Sequence, residues 1–185
     1  MRFVLLVLLT LIYSPVLFGS EDLIVVKNTV FQGVLGTSQC SVKVVNDSGA
    51  ESSLINFGNY HLGRGSGELE KEFTIKVLQF NSAQKGCDAF LVGNTNVNVT
   101  FGNQGQMDNL GVITTGAGGN IRIQIFPLDS EASSIDAITS SNDSIYYPAE
   151  FVTDGELRFK AKTLGLQNAQ AGEYRGAVSV NIIYN

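Results

Sequence analysis

Gly172-Glu-Tyr-Arg-Gly-Ala-Val-Ser-Val-Asn-Ile-Ile-Tyr184-Asn185 closes the chain, and its reading decides the fold. Val178, Val180, Ile182 and Tyr184 stand at every second position, the period of a β-strand with one buried face. Ser179, Asn181, Ile183 and Asn185 alternate with them, so the opposite face is mixed. The pattern runs to the penultimate residue, where chains ordinarily fray into polar tails. Two readings follow: a plain C-terminal core strand, or a strand whose end is bound by a partner.

The same period recurs upstream. Strands are expected over residues 41–45, 53–62, 72–80, 96–101, 120–125, 146–152 and 156–161, with Phe73, Ile75 and Val77 facing one way in the third of these. Turn chemistry separates them at Asn46-Asp-Ser-Gly49, Gly63-Arg-Gly-Ser-Gly67, residues 81–86, residues 102–109, Gly116-Ala-Gly-Gly119 and residues 168–172. Residues 130–144, rich in Ser, Asp and Ala, are expected to form a long surface loop or a short helix. No stretch sustains a helical repeat, so the class is all-β, and short strands at this spacing suggest a sandwich.

At the other end, Arg2 precedes a short apolar run, a helix-breaking Pro15 and the small residues Gly19 and Ser20. This reads as a secretory signal peptide over residues 1–20, since the run is short of the ~20 apolar residues that span a bilayer. Roughly 165 residues then remain, enough for one domain with a sizeable core. The formal charge of −5, with Lys and Arg scattered, gives no basis for binding nucleic acid or anionic lipid.

Cys40 and Cys87 are the only cysteines, and in an exported protein an isolated pair is expected to form one structural disulfide. Closing a loop of that length stabilises by roughly 4 kcal/mol in the chain-entropy model. A metal or redox site is the alternative, but there is no Cys-x-x-Cys and only His61 could assist. The inventory for catalysis is equally thin. His61 is the one histidine, no Gly-x-Ser-x-Gly occurs, and Glu68, Glu70 and Glu72 share a strand face rather than opposing each other across a cleft. The expectation is no enzyme, no metal and no cofactor.

Together with the signal peptide, three features resemble the pilin subunits of type 1-like, chaperone–usher fimbriae. One is the closing strand, with Tyr184 penultimate and Gly172 near the fourteenth position from the end. Another is Gly33, seven residues before Cys40, within an extended stretch whose alternate residues are Thr29, Phe31, Gly33, Leu35 and Thr37. The third is the pairing of Cys40 with Cys87. The resemblance implies an incomplete immunoglobulin-like β-sandwich over residues 38–185, preceded at 21–37 by an extension that donates a strand to a neighbour. It also implies partners: a periplasmic chaperone, an outer-membrane usher and neighbouring pilin subunits in a head-to-tail polymer exposed on the cell surface. In that scheme Gly172, Val178, Val180, Ile182, Tyr184 and Asn185 meet the chaperone. Thr29, Phe31, Gly33, Leu35 and Thr37 fill the neighbour's groove, where Gly33 meets a point too shallow for a side chain. Alternatively, Gly33 marks a bulge in a strand of the protein's own sheet.

Two rivals stand beside this reading. A self-complete secreted β-sandwich that binds carbohydrate is weakened by the absence of Trp, although six tyrosines keep it open. A secreted hydrolase on a β scaffold is weakened by the single histidine.

Overall fold

The computed structural model describes residues 40–80, 83–91, 96–116 and 120–184. Residues 1–39, which hold the expected signal peptide and Thr29, Phe31, Gly33, Leu35 and Thr37, lie outside the described residues, as does Asn185. Among the described residues, ten strands form two antiparallel sheets. They are β1 (Cys40–Asn46), β2 (Glu70–Gln79), β3 (Asn96–Phe101), β4 (Met107–Asp108), β5 (Gly111–Gly116), β6 (Arg122–Pro127), β7 (Ser144–Pro148), β8 (Glu156–Leu164), β9 (Tyr174–Gly176) and β10 (Val180–Tyr184). The larger sheet runs β1-β2-β8-β6-β5-β4, with β9 also on β5, and the smaller runs β10-β3-β7. Among the described residues, helix is confined to α1 (Ala149–Thr153) and two short 3-10 turns, and no described helix is long and apolar enough to cross a membrane.

Alternation decides which faces meet. Phe73, Ile75 and Val77 of β2 and Leu157, Phe159 and Ala161 of β8 are buried, as are Val97, Val99 and Phe101 of β3 and Ile145 and Tyr147 of β7, all in one core. Phe159 joins the layers: it stacks on Phe73 at 5.5 Å within its own sheet and meets Phe101 of the other edge-on at 5.2 Å. Contacts of this geometry add about 0.5–1.5 kcal/mol each beyond the area they bury. The expected disulfide between Cys40 and Cys87 is formed, with Cα atoms 5.7 Å apart, tying the start of β1 to the turn after β2. That turn lies against the α1 corner through two glycines. Gly86 and Gly155 have φ of 83° and 81°, and a Cβ on Gly155 would meet the Gly86 amide nitrogen and, at 2.7 Å, the Val77 carbonyl. Only glycine takes that conformation in that space.

Four sequence expectations need correction. Residues 53–62 are not a strand; isolated bridges stand only near their ends, at Val45–Glu51 and His61–Ser66. Local bonds compete with a ladder there, because Ser52 Oγ accepts from the Leu54 amide and Asn56 Oδ1 from the Gly58 amide. The expected strand over 146–152 is half right: β7 ends at Pro148, which has no N–H for a ladder and leads into α1. The loop expected at 102–109 contains β4, and β5 runs from beyond it into the turn expected at 116–119, where no strand was expected. The closing strand, finally, is two strands. β9 pairs with β5 in the larger sheet, whereas β10 pairs with β3 in the smaller, so the chain changes layers across residues 177–179.

Candidate functional site

The three-stranded sheet has two unlike edges. Beyond β7, the Ser133 amide donates to the Tyr146 carbonyl and Ser133 Oγ accepts from the Tyr146 amide, so a loop occupies that edge. The same loop bonds the larger sheet through Ile138 to Ile125, and Ile138 is fully buried. The sandwich is therefore sealed on this flank. On the other flank stands β10, and among the described residues no strand pairs with its outer edge.

Ladder geometry identifies the groups on that edge. The Gly102 amide bonds the Ser179 carbonyl, while the Phe101 amide points the opposite way to Asp143. Hydrogen-bonding direction alternates along an antiparallel strand. With Val180 opposite Phe101, Ile182 opposite Val99 and Tyr184 opposite Val97, the N–H and C=O groups of Val180, Ile182 and Tyr184 point outward from β10. An unpaired row of this kind is a template for a further strand.

Side chains on the same strand repeat the asymmetry. Val97, Val99 and Phe101 of β3 are 0–1% exposed, whereas Val178, Val180 and Ile182 pack on the same core only half-buried. β10 carries the pattern of a core strand without a core strand's cover. Before it, Gly172 has φ of 150°, a backbone region that favours glycine, which gives a physical reason for the glycine singled out from sequence. Ser179 is clamped where the chain changes sheets, its amide and hydroxyl both donating to Gln106 Oε1 at 3.0 Å. The side chains of Val178, Val180 and Ile182 thus come together on one face, and the backbone of Tyr184 continues the strand.

Adjoining the approach to these strands is a crevice of about 980 Å³ between residues 54–64 and 169–175. Leu54, Phe57, Tyr60, Ile121, Leu166 and Tyr174 are among its walls. Phe57 and Ile55 reach the core from this unladdered segment, and burial pushes the Tyr174 phenol above its ordinary pKa. Sequence reasoning missed the crevice, since its walls come from segments over a hundred residues apart. His61, also in its wall, is exposed in a tight turn with Ser66. Among the described residues, no group of His, Cys, Asp and Glu is placed to hold a metal ion. Among the described residues, the arrangement offers an apolar face beside a row of backbone groups with no strand partner.

A family model described as K88 fimbrial protein A matches residues 3–185 of the chain. No curated protein matches the chain in sequence.

Proposed function

Because the chain belongs to the K88 fimbrial protein A family, a family of chaperone–usher fimbrial subunits, we propose that it polymerises by lending a strand to the next copy's β10 edge. It is a structural subunit of a surface fimbria, and the family role is non-enzymatic. The observation that carries the finer reading is the half-covered apolar face of β10, beside a β3 whose equivalent residues are fully covered. In this scheme residues 1–20 are a removed signal peptide, 21–37 the donating extension and 38–185 the domain that receives. Thr29, Phe31, Leu35 and Thr37 enter the receiving groove with Gly33 between them. Main-chain bonds to Val180, Ile182 and Tyr184 supply affinity, and alternate side chains set register. A head-to-tail contact of this type does not close, so it grows a filament that supports adhesion.

An open edge over an apolar face is an aggregation hazard. A periplasmic chaperone therefore covers β10 during export, gripping residues 172–185, until an outer-membrane usher exchanges it for the neighbour's extension. The secreted, self-complete sandwich offers no occasion for such an exchange.

The test uses the mature subunit held as a monomer and a synthetic peptide of residues 21–39. At a peptide concentration about 100-fold above Kd, binding to the folded state adds about 2.7 kcal/mol of stability. For a domain of this size that raises the unfolding midpoint by roughly 5–10 °C. A peptide carrying Gly33→Arg is expected to give no shift. Equal midpoints with and without the natural peptide, at saturating concentration, would refute the strand-capture reading.

A further inference from the structure

The flank opposite β10 is closed by the chain itself. Residues 128–143 leave β6 and return as β7, and on the way they bond the edges of both sheets. At the start, the Leu128 amide donates to the Arg158 carbonyl at 2.9 Å. The buried Asp129 carboxylate accepts from the Arg158 amide at 2.7 Å and from Arg158 Nε at 2.8 Å. Ser133 then engages both backbone groups of Tyr146 on β7, its amide donating at 2.9 Å and its Oγ accepting at 3.0 Å. Further on, the Ile138 amide donates to the Ile125 carbonyl of β6 at 2.8 Å, and the Ile138 side chain is fully buried in the core.

Register identifies what this strap covers. β5 pairs with β6 only at Arg122 and Ile123, so among the described residues no strand lies on the far side of Ile125. On β7 the Asp143 carbonyl accepts from Phe101 of β3, so Ile145 and Tyr147 also bond toward β3 while Ser144 and Tyr146 turn their backbone groups outward. Ile125, Ile145 and Tyr147 are buried in the same cluster as Ile138. Under the strap lie two strand edges, one on each sheet, beside apolar side chains. The β10 flank presents the same kind of chemistry with no strap over it.

We propose that residues 128–143 are a built-in substitute for a strand, latched by Asp129 and Ser133, that confines each subunit to one acceptor edge. The inference rests on strand capture at β10. One acceptor per subunit extends a filament, whereas a second would branch it. A bare strand edge invites unplanned pairing, and covering it with a loop prevents that. The two anchors divide the work. Asp129 fixes the start of the strap to β8 through a charge-assisted pair of bonds, and Ser133 satisfies the outward groups of Tyr146. With both anchors removed the strap leaves, and β7 becomes a second template for the extension of another copy.

Filaments assembled from the full chain carrying Asp129→Ala and Ser133→Pro test this, with a labelled peptide of residues 21–39 as the probe. In parent filaments β10 is already occupied, so uptake is expected only at filament ends, far below one peptide per subunit. In the variant uptake should rise many-fold, toward one peptide per subunit, and electron micrographs should show branches. Exchange of the Tyr146 amide, slow in the parent, should become fast. Fast exchange with peptide uptake still at the parent level overturns the proposal, because the strap then covers nothing a strand can use. A Tyr146 amide that stays slow overturns it as well, since the two anchors are then not what holds the strap. So does a scrambled peptide taken up equally well. Should the double variant not assemble, Ser133→Pro alone carries the same test, because it removes both bonds to Tyr146. Parent filaments that take up about one peptide per subunit would refute strand capture at β10 itself, and this inference with it.

Discussion

Replacing Gly33 with arginine is expected to abolish polymerisation while the subunit still folds and still binds its chaperone. The extension is not part of its own domain's core in this account, so its substitution leaves that domain's stability unchanged. In the neighbour's groove the same side chain overpacks a site that cannot relax, at about 1–3 kcal/mol. It also buries an unpaired guanidinium, which adds about 3–5 kcal/mol when no partner compensates. Together these weaken the joint by at least about a thousandfold, since 1.4 kcal/mol is a factor of ten. Electron microscopy of the cell surface should find no filaments, with a normal amount of subunit–chaperone complex in the periplasm. Normal filaments from the variant contradict the donor-strand assignment. A lowered unfolding midpoint of the monomer contradicts it differently, by placing Gly33 in the protein's own sheet.

The second large effect is expected from removing Tyr184 and Asn185. β10 has only five residues, and Tyr184 closes its ladder opposite Val97, a fully buried residue of β3. Truncation removes that rung and one of the three outward backbone pairs on which a capping partner would zip. A subunit without its cap exposes Val180 and Ile182 on an open edge and is cleared by proteolysis. Periplasmic subunit should fall many-fold and chaperone co-purification should be lost. Ordinary levels of a truncated subunit that still co-purifies with chaperone would contradict a role for this strand end.

How much of this was legible in the sequence differs from strand to strand. β2, β3 and β8 were plain, because one face of each is buried and strict alternation of Phe73, Ile75 and Val77 or Val97, Val99 and Phe101 is what burial demands. β5 was hidden because Gly111, Thr114 and Thr115 dilute its apolar signal, although Thr114 is itself buried with its hydroxyl donating to the Ile121 carbonyl. α1 spans five residues, too few for any helical period to show. Residues 53–62 misled for the opposite reason: the composition suits a strand, but Ser52 and Asn56 bond the local backbone instead.

At the site, the alternation of Val178, Val180 and Ile182 was visible, and so was the glycine at 172. Half-burial of those residues was not, because exposure depends on whether another strand lies alongside, which is a property of topology. The division of the closing stretch into β9 and β10 was equally unreadable, since the choice of β5 or β3 as partner is a long-range contact.

Amide hydrogen exchange along β10, compared between monomeric subunit and assembled filament, tests the central claim most directly. The amides of Asn181 and Ile183 point toward β3, while those of Val180, Ile182 and Tyr184 point to the open edge. In the monomer the first pair should be protected and the other three should exchange freely. In the filament all five should be slow, because a neighbour's strand has closed the edge. Val180, Ile182 and Tyr184 exchanging as fast in filaments as in monomers would contradict the account.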